Sequence, residues 1–157
     1  MLGPQSTHLL RQILETISET EIIIESHRQS VCSLPSFAPY SAFCRLDRSA
    51  AESLSSQDIY GFLKENGAIG IGVGDCAKLL RFFDSDEDGY IAYSDFIQIV
   101  LPCDNNLLRA QCQKRPYSRV GRFDSLPFEE ESGLTRLLQM EIDLIKRVEV
   151  LVRELDR

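Results

Sequence analysis

Apolar residues recur at spacings of three and four in two long stretches at the ends of the chain and in four short ones between them. In the first long stretch, Leu10, Ile13, Ile17 and Ile24 fall on one helical stripe, which Leu9, Leu14 and Ile23 widen. The pattern predicts a helix over residues 7–30, with the hydroxyl of Ser6 or Thr7 capping its start. Pro35 and Pro39 then break the chain. Residues 40–102 read as a helix–loop–helix unit repeated twice, with helices near 39–46, 56–66, 75–83 and 93–101. Gly67, Gly70, Gly72 and Gly74 lie between the two halves and read as a turn. They are not read as a phosphate cradle, because no strand precedes them and no Lys-Ser/Thr follows.

Residues 103–126 lack this periodicity and predict a linker. It is basic, carrying Arg109, Lys114, Arg115, Arg119 and Arg122 with no acid over 105–123. It is expected to be solvated or docked on the acidic loop region. Its Lys114-Arg115-Pro116-Tyr117-Ser118 run is at most a weak kinase-site pattern. Residues 127–157 predict the strongest helix. Pro127 precedes it, and Glu129, Glu130 and Glu131 occupy its first turn, where the helix dipole favours negative charge. Leu134, Leu138, Ile145, Val148, Val152 and Leu155 form one stripe, interrupted by Glu141, and Leu137, Leu144 and Leu151 form a second beside it. That face is broader than a two-stranded coiled coil needs. It is expected to be covered by the N-terminal helix, by the central repeat or by another chain. The expected organisation is an all-α chain: an N-terminal amphipathic helix (1–33), a paired helix–loop–helix region (34–102), the linker (103–126) and a long coiled-coil-like helix (127–157).

Composition narrows the function classes. The net charge of −7 argues against a nucleic-acid binder, which needs a basic surface. No apolar run is long enough to insert in a membrane. The first residues lack a basic segment followed by an apolar stretch, so a secretory leader is not expected. The five cysteines, Cys32, Cys44, Cys76, Cys103 and Cys112, include no C-x-x-C pair. They predict free thiols in a reducing, cytoplasmic setting, with Cys44 and Cys76 as core residues. Neither His8, His27 nor Ser125 falls in a nucleophile–base pattern, so no enzyme is expected.

The informative segment is Asp84-Ser85-Asp86-Glu87-Asp88-Gly89-Tyr90-Ile91-Ala92-Tyr93-Ser94-Asp95. Carboxylates at loop positions 1, 3 and 5 can converge on one cation as the chain curls round it. Gly89 allows the sharp turn at position 6, and the Tyr90 carbonyl supplies position 7. Asp95 at position 12 closes the ring. Leu80 and Phe83 before the loop, and Phe96, Ile99 and Val100 after it, sit at helical spacing.

This segment resembles a calmodulin-type EF-hand loop. The resemblance implies a bound divalent cation, calcium with magnesium as competitor, held by Asp84, Asp86, Asp88, Tyr90 and Asp95. Two departures bear on affinity. Asp95 is one methylene shorter than the usual Glu, and Ala92 at position 9 offers no side-chain ligand. EF-hands pair, and Asp47 lies 37 residues before Asp84. Counted from Asp47, a second frame runs to Asp58, flanked by Phe43 and Leu46 and by Ile59, Phe62 and Leu63. Its chemistry is eroded: Ala51 stands at position 5, and Glu52 replaces the turn glycine. The first loop is therefore expected to be metal-free and to pair Leu54 with Ile91. The resemblance covers residues 36–102. It implies a non-catalytic calcium-binding protein that holds protein partners through apolar helical faces, with a homodimer through the terminal helices as one form. The alternative is an assembly subunit of a cytoskeletal or ciliary complex in which metal only stabilises the fold. Met1 and Met140 are the only methionines, which favours a dedicated partner over a promiscuous groove.

Overall fold

The computed structural model describes residues 3–117 and 124–156, and these are all-α, with seven helices among the described residues. They are α1 (Pro4–Cys32), α2 (Pro39–Leu46), α3 (Ser56–Glu65), α4 (Val73–Phe83), α5 (Tyr93–Val100), α6 (Asn106–Gln113) and α7 (Phe128–Leu155). None is long and apolar enough to cross a membrane.

The starts of these helices follow local chemistry. α1 begins three residues earlier than the periodicity predicts, because Pro4 takes the first helical position, where its missing N–H costs nothing. The cap expected at Ser6 or Thr7 is absent. Instead the Thr7 hydroxyl donates to the Gly3 carbonyl at 3.1 Å. Ser55 and Asp58 form a reciprocal capping box at α3, the Asp75 carboxylate accepts the Gly72 amide at the head of α4, and Asn105 accepts the Leu108 amide at α6.

The linker expected over 103–126 is only partly one, since α6 occupies its first half. The stripe analysis misses α6 because Cys112 is its only buried side chain. Two of the linker's basic residues, Arg109 and Arg115, reach backbone carbonyls. Arg109 donates to Pro102 and Arg115 to Leu34 and Phe37. Arg119, Arg122 and Ser118 lie outside the described residues.

α1 packs along α7, and α7 also lies against α4 and α5. A single apolar core runs between the helices. It joins Ile24 and Val31 of α1, Phe43 and Leu46 of α2, Ile59 and Phe62 of α3, Leu79 and Leu80 of α4, Phe96 and Ile99 of α5, and Leu134, Leu137, Leu138 and Ile142 of α7. The stripe on α7 is thus covered within the chain over its first half, while Val152 near its end stays exposed. On α1, Ile13 and Ile24 are buried as the period predicts, but Leu10, Leu14 and Ile23 face outward. Thr16, Glu25 and Arg28 are buried instead. Cys76 is a core residue, whereas Cys44 is half-buried.

Candidate metal centre

Two loops meet at one point between the helix pairs. Leu54, between α2 and α3, and Ile91, between α4 and α5, form an antiparallel bridge with both N–H···O bonds at 2.8 Å. Both side chains are buried, so the bridge holds the two loops in a fixed register over the core.

In the second loop, Asp84 terminates α4, its amide still bonded to the Leu80 carbonyl. The chain then turns through two left-handed residues, Glu87 (φ 56°) and Gly89 (φ 85°). Gly89 meets this at no side-chain cost, whereas Glu87 accepts some strain. The turn brings one carboxylate oxygen each of Asp84, Asp86 and Asp88 within 4.8 Å of one another. Local bonds hold the three in place. Asp84 Oδ2 accepts the Gly89 amide at 2.8 Å, Asp88 Oδ1 accepts the Tyr90 amide at 3.0 Å, and Asp86 Oδ1 accepts the Asp88 amide at 3.4 Å.

Asp84 Oδ1 differs from its neighbours. Among the described residues it is the one buried side-chain oxygen or nitrogen without a hydrogen-bond partner. A buried acceptor left unsatisfied costs about 1–3 kcal/mol, so its persistence calls for a cause. A cation among three carboxylates is such a cause, and the donor set, hard oxygens only, fits calcium or magnesium. The electrostatics agree. Partial burial pushes the Asp84 carboxyl up, but the Gly89 amide and the carboxyls of Asp86 and Asp88 outweigh it and hold it below the usual range. Asp86 is pushed up by Asp84 and Asp88. The crowded cluster therefore holds a proton more readily at Asp86 than at Asp84.

Asp95 stands apart from this cluster. It is buried in the first turn of α5, where Oδ1 accepts the Ser85 hydroxyl at 2.7 Å and Oδ2 accepts the Ala92 amide at 3.3 Å. Of the expected ligand set, the fold brings Asp84, Asp86 and Asp88 together and engages Asp95 elsewhere. Tyr90 follows the cluster, its amide on Asp88 and its ring half exposed. Ser85 is the residue that sequence reasoning missed, and its hydroxyl carries no pattern that would single it out.

The first loop closes on itself. Asp47 Oδ2 accepts the amide five residues on, that of Glu52, at 2.8 Å, as Asp84 does with Gly89. Its Oδ1, however, is satisfied by the Ala51 amide at 3.0 Å. Asp58 is engaged by Ser55, whose amide and hydroxyl both donate to it. Ala50 and Glu52 take positive φ here. Both Asp47 oxygens thus have backbone partners and need no ion.

Comparison of the chain with protein-family models, with curated proteins and with solved structures gives no match.

Proposed function

We propose that the chain is a non-catalytic EF-hand protein that binds one divalent cation, calcium with magnesium competing, at the Asp84–Asp95 loop. The observation that carries this reading is the partnerless Asp84 Oδ1 beside Asp86 and Asp88. The matching i+5 bonds of Asp47 and Asp84, and the bridge between Leu54 and Ile91, support a pair of related hands with one competent loop. Bound there, a cation would neutralise the mutual repulsion of the three carboxylates. Asp84, Asp86 and Asp88 would hold it, with the Tyr90 carbonyl and Asp95 as further ligands. Asp95 would ligate with an oxygen that already accepts from Ser85 or Ala92.

Its role would be to hold a protein partner in the cytoplasm. A second reading, an assembly or cytoskeletal subunit with a merely stabilising metal, is favoured by one observation. α7 already lies on α4 and α5 and shares their core, so the apolar face that a sensor exposes is covered within the chain.

Lanthanide luminescence tests the metal site. The chain has no Trp, so terbium held in the loop would be sensitised chiefly by Tyr90. Emission should rise on terbium addition, fall when calcium competes, and be lost in Tyr90→Phe. Equal emission in Tyr90→Phe would place the ion elsewhere. A fluorescent apolar dye in the same titration separates the two roles. Brightening on metal indicates a sensor, and no change indicates a stabilising site.

A further inference from the structure

A cavity of about 380 Å³ opens between α1, α4 and the second half of α7. Its walls are apolar: Ile17 of α1, Phe82 of α4, and Leu144, Ile145, Val148 and Val152 of α7. Leu144 is buried, while the Phe82 ring is 70% exposed and stands against Phe83 at 5.0 Å between centroids. A recess of this size, walled by apolar side chains of three helices, is the usual setting of a small-molecule site.

The charges around the cavity do not balance. Glu149 is matched, with Lys78 at 2.7 Å and Arg153 at 3.7 Å. Glu21 and Glu141 also line the cavity, and both depend on Arg28. That guanidinium holds Glu25 as well, at 3.4 Å. One positive charge thus serves three carboxylates. Glu25 has further partners in Gln29 and the amides of Cys103 and Asp104. Among the described residues Glu21 has only Arg28, at 3.7 Å. Glu141 has Oε1 on Arg28 and is 2% exposed. Burial pushes its carboxyl up to about 7, and the Glu21 charge adds to the rise. The two carboxylates are therefore short of one cation, and a buried carboxylate without its counter-charge is costly.

We propose that the cavity binds a small molecule that carries a protonated amine on an apolar body. The body lies against Phe82, Ile145 and Val148. The ammonium stands beside Glu21 and Glu141 and supplies the charge that Arg28 alone does not. An anion of the same shape meets two carboxylates and is excluded. The site does not rest on the metal reading.

The test titrates phenylbutylamine, phenylbutanol and phenylbutyrate, which share one skeleton, into the full chain and follows the methyl resonances by NMR. The methyl groups of Ile17, Leu144, Ile145 and Val148 should shift saturably with the amine. The amine should bind about tenfold tighter than the alcohol, as one charge-assisted hydrogen bond supplies. The acid should not bind. Glu21→Gln, at a side chain that is 45% exposed, should remove most of the amine's advantage and leave the alcohol's affinity as it was. Glu129→Gln removes the same charge from the first turn of α7 and should change neither, which sets the cavity's charge apart from the net charge of −7. Shifts at other methyl groups with none at these four, equal affinity for the amine and the alcohol, or an equal loss in both variants would overturn the proposal.

Discussion

Arg28 on α1 reaches Glu141 on α7 with 2.5 Å between Nη2 and Oε1, and both side chains are buried. The same guanidinium donates from Nε to the Ile99 carbonyl at the end of α5 and from Nη1 to Glu25. One arginine thus ties α1, α5 and α7. Glu21 lies farther off, at 3.7 Å, and the two buried carboxylate partners differ. Burial pushes Glu25 up, but the amides of Cys103 and Asp104 and the side chains of Gln29 and Arg28 outweigh that and hold it low. Burial pushes Glu141 up to about 7, with the Glu21 charge adding to the rise and Arg28 only partly offsetting it.

That difference sets a pH dependence. The folded pKa of Glu141 lies above its ordinary value of 4.5, so the folded state holds this proton more tightly. Its contribution is complete below about pH 4.5 and is lost as pH rises through about 7. Glu141→Gln keeps a hydrogen-bonding side chain without the buried charge. Urea midpoints from pH 5 to 8 should show the wild type losing on the order of 2 kcal/mol relative to the variant. Parallel curves would refute the assignment. The chosen range lies above the window in which Glu25 titrates.

Arg45 gives a second prediction. It is 1% exposed, holds Glu131 through Nε and Nη2 at 2.9–3.1 Å, reaches Glu65 at 2.7 Å, and lies 4.8 Å over the Phe62 ring. Arg45→Met leaves the Glu131 charge buried without its guanidinium and should cost about 3–5 kcal/mol. Arg45→Met with Glu131→Met should recover most of that loss. A double-mutant cycle by urea unfolding reads the coupling. Additive losses would mean that the pair is not a unit.

The successes and failures of the sequence pattern have one cause. Stripes of Leu, Ile and Val reveal helices that bury broad faces, so α7 and the short helices around both loops were legible. α6 buries only Cys112 and leaves no stripe. Glu141 was visible as a break in the α7 stripe, but its partner Arg28 lies 113 residues away, and no local rule links them. Thr16, Glu25 and Arg28 look like a solvent face in sequence, yet all three are buried, Glu25 and Arg28 because the 103–104 backbone and Glu141 of α7 supply partners. Asp84, Asp86 and Asp88 were legible because loop spacing alone brings them together. The engagement of Asp95 by Ser85 was not, since hydroxyl contacts leave no periodic trace.

Gly133 tests the fit between α1 and α7. A Cβ built on it would lie 2.7 Å from Cγ2 of Val31, a buried β-branched side chain with little room to move. Alanine favours helix over glycine by about 1 kcal/mol, but overpacking costs roughly 1–3. Gly133→Ala should therefore be destabilising by about 1 kcal/mol. Adding Val31→Ala should remove the clash and restore the benefit. A gain in melting temperature from Gly133→Ala alone would show that the helices can spread freely.

Asp95 governs selectivity in the EF-hand reading. Its short side chain and its bonds to Ser85 and Ala92 both limit its reach toward the cluster. Calcium affinity is expected at roughly 10⁻⁵ to 10⁻³ M, with magnesium competing. Asp95→Glu should strengthen calcium binding relative to magnesium in a competition titration. Submicromolar calcium binding by the unaltered chain would contradict the argument from reach.

Calorimetry with calcium on the full chain tests the central claim most directly. One ion per chain is predicted. Asp84→Ala should abolish the heat, because it removes the carboxylate whose Oδ1 lacks a partner. Asp47→Ala should leave stoichiometry and affinity unchanged, because both of its oxygens are already held by amides. Two ions per chain, or undiminished binding in Asp84→Ala, would contradict the account.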